Sequence, residues 1–64
     1  MIHVSVMFFG DSQKLYTYKS KRDLNVDDFA IVETPTGRTV VKVMRIQNSI
    51  PSYECKEIIK KVRL

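Results

Sequence analysis

Disulfides cannot stabilise this chain internally, because its 64 residues include a single cysteine, Cys55. A secreted domain of this size usually carries several bridges to support a thin core, so one thiol points to a reducing, cytoplasmic compartment. Glycine is limited to Gly10 and Gly37, which leaves no glycine-rich loop to cradle a phosphate. His3 is the only histidine and has no cysteine or aspartate at a telling spacing. It therefore supplies neither a nucleophile–base pair nor a metal-ligand set. Asp27 and Asp28 are adjacent, so on a strand they would point apart; they read as turn formers rather than an acid–base pair. Cys55 reads as a half-buried structural thiol. Long apolar runs are missing as well. The opening MIHVSVMFFG is interrupted by His3 and Ser5 and has no basic leader, so it reads as neither a signal peptide nor a membrane span. The expectation is a non-catalytic protein with no cofactor, no metal and no membrane partner.

What the chain does have is alternation. Ile2, Val4, Val6 and Phe8 fall on one face of a strand, and His3, Ser5, Met7 and Phe9 on the other. Gly10 to Gln13 has turn chemistry. Strand text resumes from Lys14 to Ser20, where Tyr16 and Tyr18 share a face with Lys14, opposite Leu15, Thr17 and Lys19. Two such runs and a short linker suggest an antiparallel hairpin. Lys21 to Asp28 has no strand period and reads as a loop whose Leu24 and Val26 dip into the core. Phe29 to Glu33 is a third strand, Thr34 to Gly37 a turn, and Thr39 to Ile46 a valine-rich fourth strand. The last segment is ambiguous. Cys55, Ile58, Ile59 and Val62 make a helical stripe with Ser52 as a possible cap, yet the same residues suit a short closing strand. One domain spanning 1–64 is the natural division of so short a chain.

The stretch LYTYKSKRDLNVDDFAIVETPTGRTVVKVMRI, Leu15 to Ile46, resembles the N-terminal DNA-binding domain of the primosomal replication-restart helicase. The shared outline is an aromatic-x-aromatic strand, a charged loop, a lead-in ending in Asp, a strand, a Gly turn and a valine strand. CKEIIKKV, Cys55 to Val62, is similar to that domain's closing segment of a Lys followed by an apolar pair. Small bacteriophage proteins of unknown function show the same outline. Asp27 stands where the family has Gly, and Val40 or Val41 replaces the Gly that opens the family's fourth strand. The resemblance implies that Glu57 to Val62 is a strand. It also implies an all-β fold, a five-stranded half-open small barrel of the SH3-like or OB-like kind. The alternative is α+β with a C-terminal helix.

Eleven Lys and Arg against seven Asp and Glu give a formal net charge of +4. That excess suits nucleic acid, an acidic protein surface or anionic lipid, and equally suits mere solubility. Lys21 and Arg22 are offset by Asp23, Asp27 and Asp28, so that loop is not strongly basic. The candidate nucleic-acid-binding residues are Lys14, Lys19, Lys21, Arg22, Arg38, Lys42 and Arg45, with Lys60, Lys61 and Arg63 near the end. Lys42 with Lys19 or Lys21 is expected to form one patch. Tyr16, Tyr18, Phe9 and Tyr53 are the candidate stacking faces for bases; Tyr16 and Tyr18 read more readily as core, which makes Phe9 and Tyr53 the better exposed candidates. The alternative function is a protein-interaction or inhibitor module, or a homodimer, using an outward apolar face of Met7, Phe9 and Leu15.

Overall fold

A computed structural model describes residues 1–62. It contains five strands: β1 (Ile2–Phe8), β2 (Asp11–Ser20), β3 (Phe29–Thr34), β4 (Gly37–Gln47) and β5 (Lys60–Val62). They form one sheet in the order β2-β1-β4-β3-β5, every neighbouring pair antiparallel. The fold is all-β and curls into a half-open barrel. Arg63 lies outside the described residues.

The alternation of β1 fixes the inside. Val4 and Val6 are fully buried, with Ile2 and Phe8 packed against the same core. Val41 and Val43 from β4, Ala30 and Val32 from β3, Tyr18 from β2, and Leu24 and Ile58 from the connections complete it. Two irregularities bend the sheet. Between Met7 and Phe8 the register jumps from Leu15 to Asp11, leaving residues 12–14 of β2 unopposed. Between Ser5 and Val6 it jumps from Arg45 to Val43, with Met44 as the extra residue. Bulges of this kind increase local twist and let a sheet roll up.

Closure comes from the last segment, and here the C-terminal helix is overturned. Residues 56–59 are extended and connect the two edges of the sheet. Lys19 N donates to Lys56 O, and Ile58 N donates to Lys19 O, a parallel bridge to β2. Ile59 N then donates to Ile31 O on β3, and β5 continues along that strand. The helical stripe is real in part, since Cys55 and Ile58 are buried, but its backbone bonds go to distant strands. The strand expected from Glu57 is correspondingly shorter, beginning at Lys60. Among the described residues no helix is long and apolar enough to cross a membrane.

The lead-in loop is built by its aspartates, as their turn chemistry suggests. Asp28 N donates to Asn25 O, and the Asp28 carboxylate accepts the Asn25 N–H at 2.7 Å. Asp27 sits third in that turn with φ 78°, the conformation a type II turn demands there. Leu24 is buried as expected, but Val26, at the turn's apex, is 51% exposed rather than in the core. At the β3–β4 hairpin Gly37 takes φ 119°, and Thr34 Oγ1 donates to its carbonyl at 2.7 Å.

Candidate functional site

The expected cationic patch does not assemble. In register across β2-β1-β4, Lys19 lies opposite His3, and Lys42 lies opposite Met7. Two strands across and four residues along separate them by roughly 16 Å. Each also has a carboxylate of its own: Lys19 pairs with Glu54, and Lys42 Nζ lies 3.4 Å from Asp27. The Glu54 hydrogen bond raises the Lys19 pKa and holds the Glu54 carboxyl below the usual carboxylate range. Arg38, at the hairpin, faces Glu33 at 3.8 Å. Arg45 pairs across the sheet with Ser5, beside Lys42 on the outer face. Lys14 stands in the unopposed stretch of β2, and Lys21 and Arg22 follow its last residue. The seven cations are therefore spread over several faces, because strand order rather than sequence proximity sets their spacing.

A different site does form along β2. Tyr16, Tyr18 and Phe8 line an open groove of about 530 Å³ at the barrel mouth, facing Pro35, Thr39 and Lys56. Phe8 meets Tyr16 edge-on, with ring centroids 5.2 Å apart and planes at 86°. Tyr18 is buried as expected, and burial followed by the charge of Tyr16 raises its phenol pKa. Tyr16 departs from expectation. It is 42% exposed, because its strand is leaving the barrel where residues 12–14 lose their partners. A second groove of about 370 Å³ adjoins the first on Tyr16, Tyr18 and Lys56 and runs on to Tyr53. The two form a trough with exposed aromatic rings at Tyr16 and Tyr53 and Lys56 between them, lined also by the carboxylates of Asp11, Glu33 and Glu54.

Sequence reasoning placed Tyr16 among the possible stacking residues but favoured the core for it, and gave Lys56 no binding role. The signal for Lys56 was its place at the head of the closing segment, in KEIIKKV. Its position opposite Tyr16 depends on the crossing of residues 56–59 between sheet edges, which no local pattern encodes.

The outward apolar face is present. Met7 and Leu15 are direct cross-strand partners, and the same row continues through Lys42 and Phe29 to Val62. Phe9 is 57% exposed and stacks on Phe29, with centroids 5.9 Å apart and planes at 20°. Cys55 is buried, closer to core than the half-buried thiol expected. Among the described residues no three His, Cys, Asp or Glu side chains converge as a metal site requires. No family model, no curated protein and no solved structure matches the chain.

Proposed function

We propose that this protein is a non-catalytic nucleic-acid-binding module of bacterial or phage replication, acting in the host cytoplasm, and that it holds a single strand in the β2 trough. The observation that carries this reading is the trough itself. Single-strand binders combine a cationic groove with aromatic faces on which bases stack. Tyr16 offers such a face, steadied by Phe8, with Tyr53 further along and Lys56 between them; of the three carboxylates that also line the trough, Glu54 and Glu33 are paired with Lys19 and Arg38, which leaves Asp11 against Lys56. The net charge of +4 favours any polyanion, and the likeness to a DNA-binding domain points the same way. Exposed pairs such as Lys42–Asp27 hold their partners weakly, so those cations remain available to phosphates.

Fluorescence anisotropy with a labelled oligothymidine strand and a duplex, across a salt series, tests the reading. Single strand is expected to bind better than duplex, with log K falling linearly with log salt. Tyr16→Ala should weaken binding by at least roughly tenfold, in line with loss of one stacked base. Absence of binding at low salt, or a Tyr16→Ala protein indistinguishable from the parent, would overturn it.

A second reading, a protein-interaction or inhibitor module, rests on the Phe9–Phe29 stack and the adjoining Met7–Leu15 pair. Met7→Glu separates the two. Because Phe9 also lines the trough, Phe9→Glu weakens both functions, whereas Met7→Glu, on the apolar face and outside both grooves, leaves oligonucleotide binding intact but abolishes any concentration-dependent mass in sedimentation if that face makes a homodimer.

A further inference from the structure

The barrel has a second concave site beyond the last residue of β2, at a corner the trough does not reach. One wall is the turn after Ser20 and the other is the crossing segment Glu57–Lys61, enclosing about 210 Å³. Four cations line it, Lys21, Arg22, Lys60 and Lys61, against one carboxylate, Glu57. Lys61 is shared with Asp28, which its Nζ approaches at 3.5 Å. Lys21, Arg22 and Lys60 have no carboxylate within 4.0 Å among the described residues, whereas Lys19, Arg38 and Lys42 each have one. The molecule's ion pairing thus leaves positive charge concentrated in this corner.

Both walls are fixed by hydrogen bonds that do not involve the cationic side chains. Ser20 Oγ, on a buried residue, accepts the Arg22 N–H at 3.1 Å and donates to the Arg22 carbonyl at 2.9 Å, which locks the turn. Ile58 N binds Lys19 O and Ile59 N binds Ile31 O, each at 2.8 Å, which pins the opposite wall. Leu24 and Ile58, both buried, give the corner an apolar floor. A low-dielectric floor strengthens the field of cations above it, and a fixed backbone frame leaves only the exposed cationic side chains to be ordered on binding.

We propose that this corner is a binding site for a phosphate dianion, the group shared by inorganic phosphate and the terminal phosphate of a nucleotide. Four cations, less Glu57 and the Asp28 carboxylate that Lys61 shares, leave an excess of two positive charges, which suits a dianion better than the single charge of a phosphodiester. The planar fork of Arg22 can take two phosphate oxygens at once, and the lysines act as point charges. The inference does not rest on the aromatic trough, and the two stand or fall separately.

Amide chemical shifts of the full chain, titrated at constant ionic strength with inorganic phosphate, thymidine 5′-monophosphate and thymidine, test it. The two phosphates are expected to cause saturable shifts at Ser20–Arg22 and Glu57–Lys61, and thymidine none there. Arg22→Gln and Lys60→Gln, both at exposed positions, should each weaken phosphate binding about tenfold, while Tyr16→Ala leaves it unchanged. Tighter binding of the monophosphate than of inorganic phosphate would assign a nucleotide end as the ligand, and equal binding would assign the phosphate alone. Shifts that fail to saturate, that spread equally to Lys14, Lys42 and Arg45, or that survive both substitutions would overturn the proposal.

Discussion

Asp27 shows how one residue can serve backbone, electrostatics and sheet at once. Its φ of 78° is a region where most side chains cost about 1–2 kcal/mol, and where Asp is tolerated better than most. Its amide donates to Val43 O, and its neighbour's carbonyl, Asp28 O, accepts from Val43 N, so the turn is buttoned onto β4. Its carboxylate faces Lys42. Glycine suits this conformation best. Asp27→Gly is therefore expected to leave the unfolding free energy, read from urea denaturation, within about 0.5 kcal/mol of the parent, the lost exposed ion pair offsetting the relieved backbone. Asp27→Val, β-branched at positive φ, should lose about 1–2 kcal/mol. Equal stability of the two variants would show that the backbone conformation carries no weight.

Among the elements, β1 is held on its outer face by a polar tie that the strand pattern does not announce. Gln47 Nε2, on β4, donates to Ser5 Oγ at 2.8 Å and to Thr17 Oγ1 at 3.0 Å, joining three strands through one amide. Ser5 is buried beneath it. Gln47→Ala should cost about 1 kcal/mol, read as a lowered urea midpoint with an unchanged m value. The Thr17→Val variant alone should cost less, because the Ser5 bond remains. The strands themselves were legible wherever burial follows local alternation: Val4, Val6, Val41 and Val43 lie inside as their period requires. Legibility failed where a distant partner decides. Val26 has the same apolar character as Leu24, yet the turn geometry at Asp27 turns it outward. The tail's helical and extended readings differ only in whether its amides find Lys19 and Ile31, a matter of tertiary closure. The candidate site fared likewise. Met7, Phe9 and Leu15 were placed on one face by strand parity, whereas Lys19 and Lys42 were separated by a strand order that sequence does not reveal.

At the scale of the whole molecule, a thin valine core and a surplus of positive charge set the conditions under which the barrel survives. Its carboxylates are distributed so that each of four cations has one near it. Two of these carboxyls are displaced in the folded state. The Asn25 amide, and then Lys61, hold Asp28 below its ordinary pKa, and Lys19 does the same for Glu54. A carboxyl depressed by folding contributes stability that is complete above its unfolded value, near 4, and is lost as pH falls through the folded value. Lys19 and Tyr18 are raised in the folded state, so their contribution is complete below about 10 and is lost as pH climbs past it. Acid adds a second penalty. With every carboxylate protonated, the eleven Lys and Arg and the one His leave about twelve positive charges on 64 residues, and their repulsion favours expansion. Urea midpoints measured at pH 3, 5, 7, 9 and 11 should therefore form a plateau from about 5 to 9, falling at both ends and more steeply on the acid side. Raising salt at pH 3 should recover part of the loss by screening the repulsion, though it cannot restore the ionised Asp28 that caps the lead-in turn. A midpoint that peaks instead at the isoelectric point, near 9.5, would show that net charge outweighs the individual pairs.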